Sequence, residues 1–190
     1  KGGSATGPTI RHCNFKELND LENWDIGDNG FFERKTRQGF AIEFYHCAAS
    51  GREVRSWFQP LVNSQGTGYA ALYCREVRGA LEVLVRIGGE SGLKTGHALL
   101  PTILDYPDCT HAMRPAPGKV LLSTMESDEG GRFLHDISRY ELVLVALNFE
   151  LADDLFWVSI SELKWFLSNS NLCTIQLRGL SSMLLGELPC

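Results

Sequence analysis

Tyr69-Ala70-Ala71-Leu72-Tyr73-Cys74-Arg75-Glu76-Val77-Arg78-Gly79-Ala80-Leu81-Glu82-Val83-Leu84-Val85-Arg86-Ile87 contains two β-rich runs, Tyr69 to Val77 and Ala80 to Ile87, joined at Arg78-Gly79. Glycine at the turn between such runs predicts a β-hairpin, the strongest local signal in the chain. Further strands are expected around it. Phe40 to His46 alternates, with Phe40, Ile42 and Phe44 on one face and Ala41, Glu43 and Tyr45 on the other. Glu53 to Leu61 reads as a strand stopping at Pro60, His97 to Leu104 as a short strand interrupted at Pro101, and Lys119 to Met125 as another strand. Gly27 to Gly39 is polar and punctuated by glycine, which predicts a loop anchored by Phe31-Phe32. A second loop is expected from Asp105 to Gly118.

The ends of the chain carry a different period. Asn14-Phe15-Lys16-Glu17 has the form of an N-cap with an acid following, and Phe15, Leu18 and Leu21 recur at helical spacing, predicting a short helix. Ser159-Ile160-Ser161-Glu162 is a capping box ahead of Ile160, Leu163, Phe166 and Leu167, so a helix is expected to run to about Asn169. Thr174 caps a second helix through Leu177, Leu180, Leu184 and Leu188. Many strands followed by terminal helices give the α+β class, with mixed or antiparallel sheets and helices outside.

The chain has 190 residues, enough for one sizeable core. Residues 1–13 read as a flexible lead or added residues, and 14–190 as one module. A net charge of -5 supplies no electrostatic footprint for nucleic acid or an anionic membrane. The longest apolar run, Leu142 to Leu147, is too short to span a bilayer, and no secretory leader is expected. Six scattered cysteines fit reduced thiols and a cytoplasmic setting rather than a disulfide framework. His12-Cys13 and His46-Cys47 are adjacent pairs whose members face opposite sides of a strand, so no metal site is expected.

Chemistry is expected where Ser123 to Val145 turns. Glu126-Ser127-Asp128-Glu129 is acidic, Gly130-Gly131 is a hinge, and Arg132, His135, Asp136 and Arg139 follow before the apolar run resumes. No nucleophile elbow, P-loop or dinucleotide fingerprint is present. Polar residues at strand ends remain as candidates: Gln59, Arg86, Glu90, Thr102, Glu126, Glu129, Arg132, His135 and Tyr140.

Several motifs, in order, resemble the NDP-hexose 2,3-dehydratase family. They are Arg52-Glu53-Val54, Trp57-Phe58-Gln59-Pro60-Leu61, Glu90-Ser91-Gly92, Leu100-Pro101-Thr102, Glu126 to Phe133 with its Gly-Gly-Arg-Phe turn, Arg139-Tyr140, Trp157-Val158 and Arg178-Gly179-Leu180. The resemblance covers Phe15 to the end. It implies a Nudix-like fold and removal of water from a nucleotide-linked 4-keto-6-deoxy sugar, without metal or organic cofactor. The family's chains carry two related modules and dimerise; this chain matches one module, more like the second, so it is expected to be either a free-standing module that pairs as a homodimer or a fragment of a longer chain.

Elimination beside a ketone needs a base for the carbon-bound proton, an acid for the departing hydroxyl and donors for the enolate oxygen. Glu90, His135 and Tyr140 are the expected catalytic groups; Gln59, Trp57, Arg86, Thr102, Arg132 and Glu126 are the expected substrate contacts. For Arg132 the alternative is a salt bridge with Glu126 or Glu129 that fixes the turn. The chain departs from the family pattern at Arg86, Gly88 and Leu104, where the family usually carries an amide, a basic residue and a glutamine. Those departures leave open a polyketide-type substrate for dehydration or cyclisation, or a non-catalytic binding subunit.

Overall fold

The structure, a computed structural model, describes residues 16–17, 20–22, 24–28, 30–33, 40–64, 66–89, 96–105, 117–169 and 171–187. Its centre is the expected hairpin. Strand β5 (Thr67–Val77) turns into β6 (Ala80–Gly88) through Arg78 and Gly79, both in the left-handed region at φ 52° and 80°. Two consecutive positive φ values match the twist of the flanking strands, and glycine supplies the second without a Cβ clash.

Around that hairpin the chain builds a mixed sheet in the order β11-β6-β5-β10-β9, where β9 is Lys119–Ser127, β10 is Ile137–Leu144 and β11 is Leu155–Ser159. β10 runs parallel to β5, Tyr140 beside Ala70, and the other pairings are antiparallel. β5 and β6 separate beyond Tyr73 and Leu84. The gap is filled by β7 (Ala98–Leu100), paired to β6, and β8 (Ile103–Asp105), paired to β5. Thr102 sits in the fork. Its hydroxyl accepts from the Tyr73 N–H at 2.9 Å and donates to the Leu84 carbonyl at 2.5 Å, joining the strands where their own ladder stops.

A second sheet precedes it: β1 (Trp24–Gly27), β2 (Gly30–Glu33), β3 (Phe40–Ala48) and β4 (Ser56–Ser64), an antiparallel meander. Two sequence expectations change here. The glycine-punctuated stretch after Gly27 is not all loop, because Gly27 pairs with Gly30 to close a tight hairpin and Phe31-Phe32 continue as strand. Nor does Pro60 end its strand. Val62 turns its N–H and carbonyl away from β3, to the Arg132 carbonyl (2.7 Å) and the Leu134 N–H (2.8 Å). Pro60 lies two residues earlier, so its nitrogen also faces away from β3, where a missing donor breaks no ladder bond. Strand β11, at Trp157-Val158, is an element the periodicity did not reveal.

The helices follow the capping signals. α1 (Ile160–Ser168) opens with Ser159 and Glu162 bonded reciprocally, and α2 (Ile175–Glu187) has the Thr174 hydroxyl accepting from the Leu177 N–H at 3.3 Å. The expected early helix falls partly outside the described residues (Asn14, Phe15 and Leu18); the nearby Asp20 N–H donates to the Glu17 carbonyl in a single turn.

Both faces of the large sheet bury apolar side chains. On one, Leu72, Val83, Val85, Leu142 and Val158 pack against Leu163 of α1 and Leu177, Leu180 and Leu184 of α2. On the other, Ala71, Tyr73, Leu84, Val143 and Val145 are joined by Tyr69, Ile103, Phe149, Leu155 and Trp157, with no described helix among them. The α+β class and its mixed and antiparallel sheets are as expected. Among the described residues, no helix is long and apolar enough to cross a membrane, and no cluster of His, Cys, Asp or Glu could hold a metal ion.

Candidate functional site

The expected site residues fall into separate groups. The first is the docked turn. Trp57 donates through its indole N–H to Gln59 Oε1 at 2.5 Å, and Gln59 donates through Nε2 to the Gly131 carbonyl at 3.3 Å. With the Val62 bonds, these contacts fasten the Gly-Gly-Arg-Phe turn to the edge of β4. Arg132 pairs with Glu129 at 3.4 Å, the alternative foreseen for it. With side-chain exposures of 75% and 63%, that pair adds little stability. His135 is exposed at the end of the turn, in left-handed backbone at φ 53°.

A second group, Glu126 and Tyr140, lines a cleft on the helix side of the sheet with Ser127, Asp128, Ser138, Ile175, Gly179 and Met183. Gly179 is there because α2 runs hard against Tyr140. A Cβ at that position would lie 3.1 Å from the Tyr140 ring. The cleft holds about 150 Å³, well below the several hundred Å³ typical of drug-sized ligand pockets, roughly 300–1,000 Å³.

Arg86 lies elsewhere. Strand alternation puts it with Glu82 and Leu84 on the helix-free face, opposite the face of Tyr140. Arg86 and Tyr140 cannot line one pocket through the intervening sheet. Thr102 is buried at 2% exposure with its hydroxyl committed to the fork. Glu90 lies outside the described residues, two positions beyond the end of β6.

The helix-free face also carries groups that strand-end reasoning passed over. Glu141, on β10, accepts from the Tyr69 hydroxyl through Oε2 at 2.9 Å and from the Ser123 hydroxyl through Oε1 at 3.1 Å. Tyr69 and Glu141 are half-buried, so they combine a shielded surrounding with a route from solvent. Burial first, then the hydrogen bond and charge of Glu141, push the Tyr69 phenol well above the ordinary tyrosine range, against an opposing pull from Arg139. Burial likewise raises Tyr73, helped by the charges of Glu141 and Asp105. A carboxylate bonded to a phenol can accept one proton and deliver another. The available signal was a glutamate in an otherwise apolar run, Tyr140-Glu141-Leu142-Val143, where a core-forming strand has no ordinary use for a charge.

Further along that face, Arg75 is fixed by Glu82 (2.7 and 2.8 Å) and lies over the Trp157 ring, its guanidinium carbon 4.1 Å from the ring centroid. A profile of the NDP-hexose 2,3-dehydratase family matches residues 8–184. The chain belongs to that family. It is 30% identical to a dTDP-4-dehydro-6-deoxy-alpha-D-glucopyranose 2,3-dehydratase of Streptomyces violaceoruber, over 92% of this chain and 43% of that protein. It is 29% identical to the Saccharopolyspora spinosa protein of the same name, over 76% of this chain and 33% of the relative. This member of the NDP-hexose 2,3-dehydratase family therefore spans less than half the length of the curated relatives it matches.

Proposed function

We propose that the chain is a dehydratase module acting on a dTDP-linked 4-keto-6-deoxyhexose, removing water beside the ketone without a metal or organic cofactor. The observation that carries the chemistry is the Tyr69–Glu141–Ser123 network on the helix-free face. Glu141, which accepts from the Tyr69 and Ser123 hydroxyls, takes the carbon-bound proton that the ketone acidifies. The C–O bond to the departing hydroxyl breaks as Tyr69 gives that oxygen its proton, and water leaves. The proton on Glu141 then crosses the 2.9 Å hydrogen bond to the Tyr69 oxygen, restoring both groups. The electron pair of the broken C–H bond ends in the new carbon–carbon double bond, so the step needs no oxidant or reductant.

Glu90, just beyond the end of β6, is the competing base. The docked turn, with Gln59, Trp57, Arg132 and His135, is read as the device that holds the smaller sheet to the larger one and borders the substrate. Glu126 and Tyr140 favour a second reading, a small helix-side subsite of about 150 Å³, sized for a fragment rather than a nucleotide sugar.

The module is also proposed to work as a homodimer in the cytoplasm. Ile26, Phe44 and Phe58 stand exposed, Phe58 at 78%, on one face of the four-stranded sheet, an apolar surface that a second copy would cover. The test of function is incubation of the purified chain with dTDP-4-dehydro-6-deoxyglucose, followed by mass spectrometry. Loss of one water from the sugar nucleotide is the expected result; an unchanged substrate mass sinks the proposal.

A further inference from the structure

Two buried donors on the helix-free face have no hydrogen-bond partner: Arg86 Nε and Trp157 Nε1. They are neighbours in the sheet. Leu155 of β11 stands directly opposite Arg86 of β6, and Trp157 follows Leu155 by two positions, so it projects from the same face one diagonal step away. A buried N–H without an acceptor is costly, and proteins leave few of them. Two such donors on adjacent strands, one of them cationic, form a pair that lacks an acceptor.

Their surroundings hold them in place. The Trp157 ring lies under Arg75, and Arg75 is fixed by Glu82 and by the Leu147 carbonyl at 3.3 Å. Glu82, the acidic residue of β6, is therefore already occupied by Arg75. Among the described residues no acidic side chain pairs with Arg86. The charge is positive, the donors are planar N–H groups, and the missing partner is an acceptor oxygen.

We propose that Arg86 and Trp157 form an oxyanion subsite that receives the phosphate oxygens of a nucleoside diphosphate. Arg86 supplies charge and a directed N–H, and Trp157 supplies a neutral N–H that reads the oxygen's position. This assigns a binding part to Trp157, until now only a member of a family motif with no role of its own, and it accounts for an arginine at the end of β6. The proposal rests on reading the helix-free face as the substrate side of the sheet.

The test is calorimetric titration of the purified chain with thymidine 5′-diphosphate and, separately, with thymidine. Trp157→Phe keeps a ring beneath Arg75 but removes the N–H; Arg86→Met removes the charge. Each is expected to weaken diphosphate binding by about 10-fold or more, the usual scale for a lost hydrogen bond to a charged group, and to leave thymidine binding unchanged. Circular dichroism and melting temperature confirm that each variant folds, and Arg86→Met carries the test if Trp157→Phe does not. Wild-type diphosphate affinity in the folded variants overturns the subsite, as does an equal loss of thymidine binding. So does an absence of diphosphate binding by the unaltered chain. Turnover of the sugar nucleotide that neither substitution disturbs also overturns it, while leaving the dehydratase reading intact. Diphosphate binding lost in the variants, with no turnover in the unaltered chain, upholds the subsite and removes the dehydratase reading.

Discussion

Tyr69 of β5 donates its hydroxyl to Glu141 of β10 across a parallel strand pair, at 2.9 Å. The pairing opposes Tyr69 to Arg139 rather than to Glu141, so the bond is a diagonal one between side chains on the same face. It keeps the phenol neutral. Because burial and Glu141 raise the folded-state pKa of Tyr69, and burial raises that of Tyr73, both rings favour the protonated form in the folded protein. Their contribution to stability is fully present below the ordinary tyrosine value of 10.0 and is lost as pH rises above it. An ultraviolet titration is expected to show these two tyrosines ionising only together with alkaline unfolding. Reversible ionisation of every tyrosine near pH 10 in the folded protein would contradict the burial argument.

Thr102 offers a stability test free of any catalytic assumption. Thr102→Val conserves shape but strips the bonds to the Tyr73 N–H and the Leu84 carbonyl, leaving two buried backbone groups unpaired in the fork. A loss of ~2–4 kcal/mol is expected in urea unfolding, the sum of two desolvated polar groups. A loss near zero would mean that the fork is held by its strands alone.

His135 adopts a left-handed backbone that costs a non-glycine residue ~1–2 kcal/mol, and it is exposed at the end of the docked turn. His135→Gly removes that cost but adds freedom to the unfolded chain, so a net gain of ~0.5 kcal/mol is expected. Dehydration by the variant at the unaltered rate is the expected companion result, measured by the same mass assay. A hundred-fold loss of rate in the stabilised variant would restore His135 as a proton-transfer group.

Much of this architecture was legible from local chemistry. Arg78-Gly79, the Ser159 capping box and the Thr174 cap all act within a few residues, and each has its expected structure. What failed was set by distant partners. Whether Pro60 ends a strand depends on which way its nitrogen faces, and the bonds from Val62 to Arg132 and Leu134 fix that direction. The site was harder for a similar reason. Its candidate residues were chosen from strand ends and turns, but alternation along the strands puts Arg86 and Tyr140 on opposite faces of the sheet. Glu141 was passed over because its neighbours read as core; only the pairing of β10 with β5 brings Tyr69 to it.

In the proposed reaction Glu141 accepts the carbon-bound proton and Tyr69 supplies the proton for the departing hydroxyl. Glu141→Gln keeps the size of the side chain and an acceptor for Tyr69 but cannot take up a proton as a carboxylate does. The most direct measurement is the rate of water loss from dTDP-4-dehydro-6-deoxyglucose by Glu141→Gln, with Tyr69→Phe and Glu90→Gln measured alongside and melting temperatures confirming folded protein. A fall of at least ~100-fold is expected for the first two substitutions, the scale of general acid–base catalysis, with Glu90→Gln retaining activity. Wild-type turnover by folded Glu141→Gln, with activity lost in Glu90→Gln instead, would contradict it.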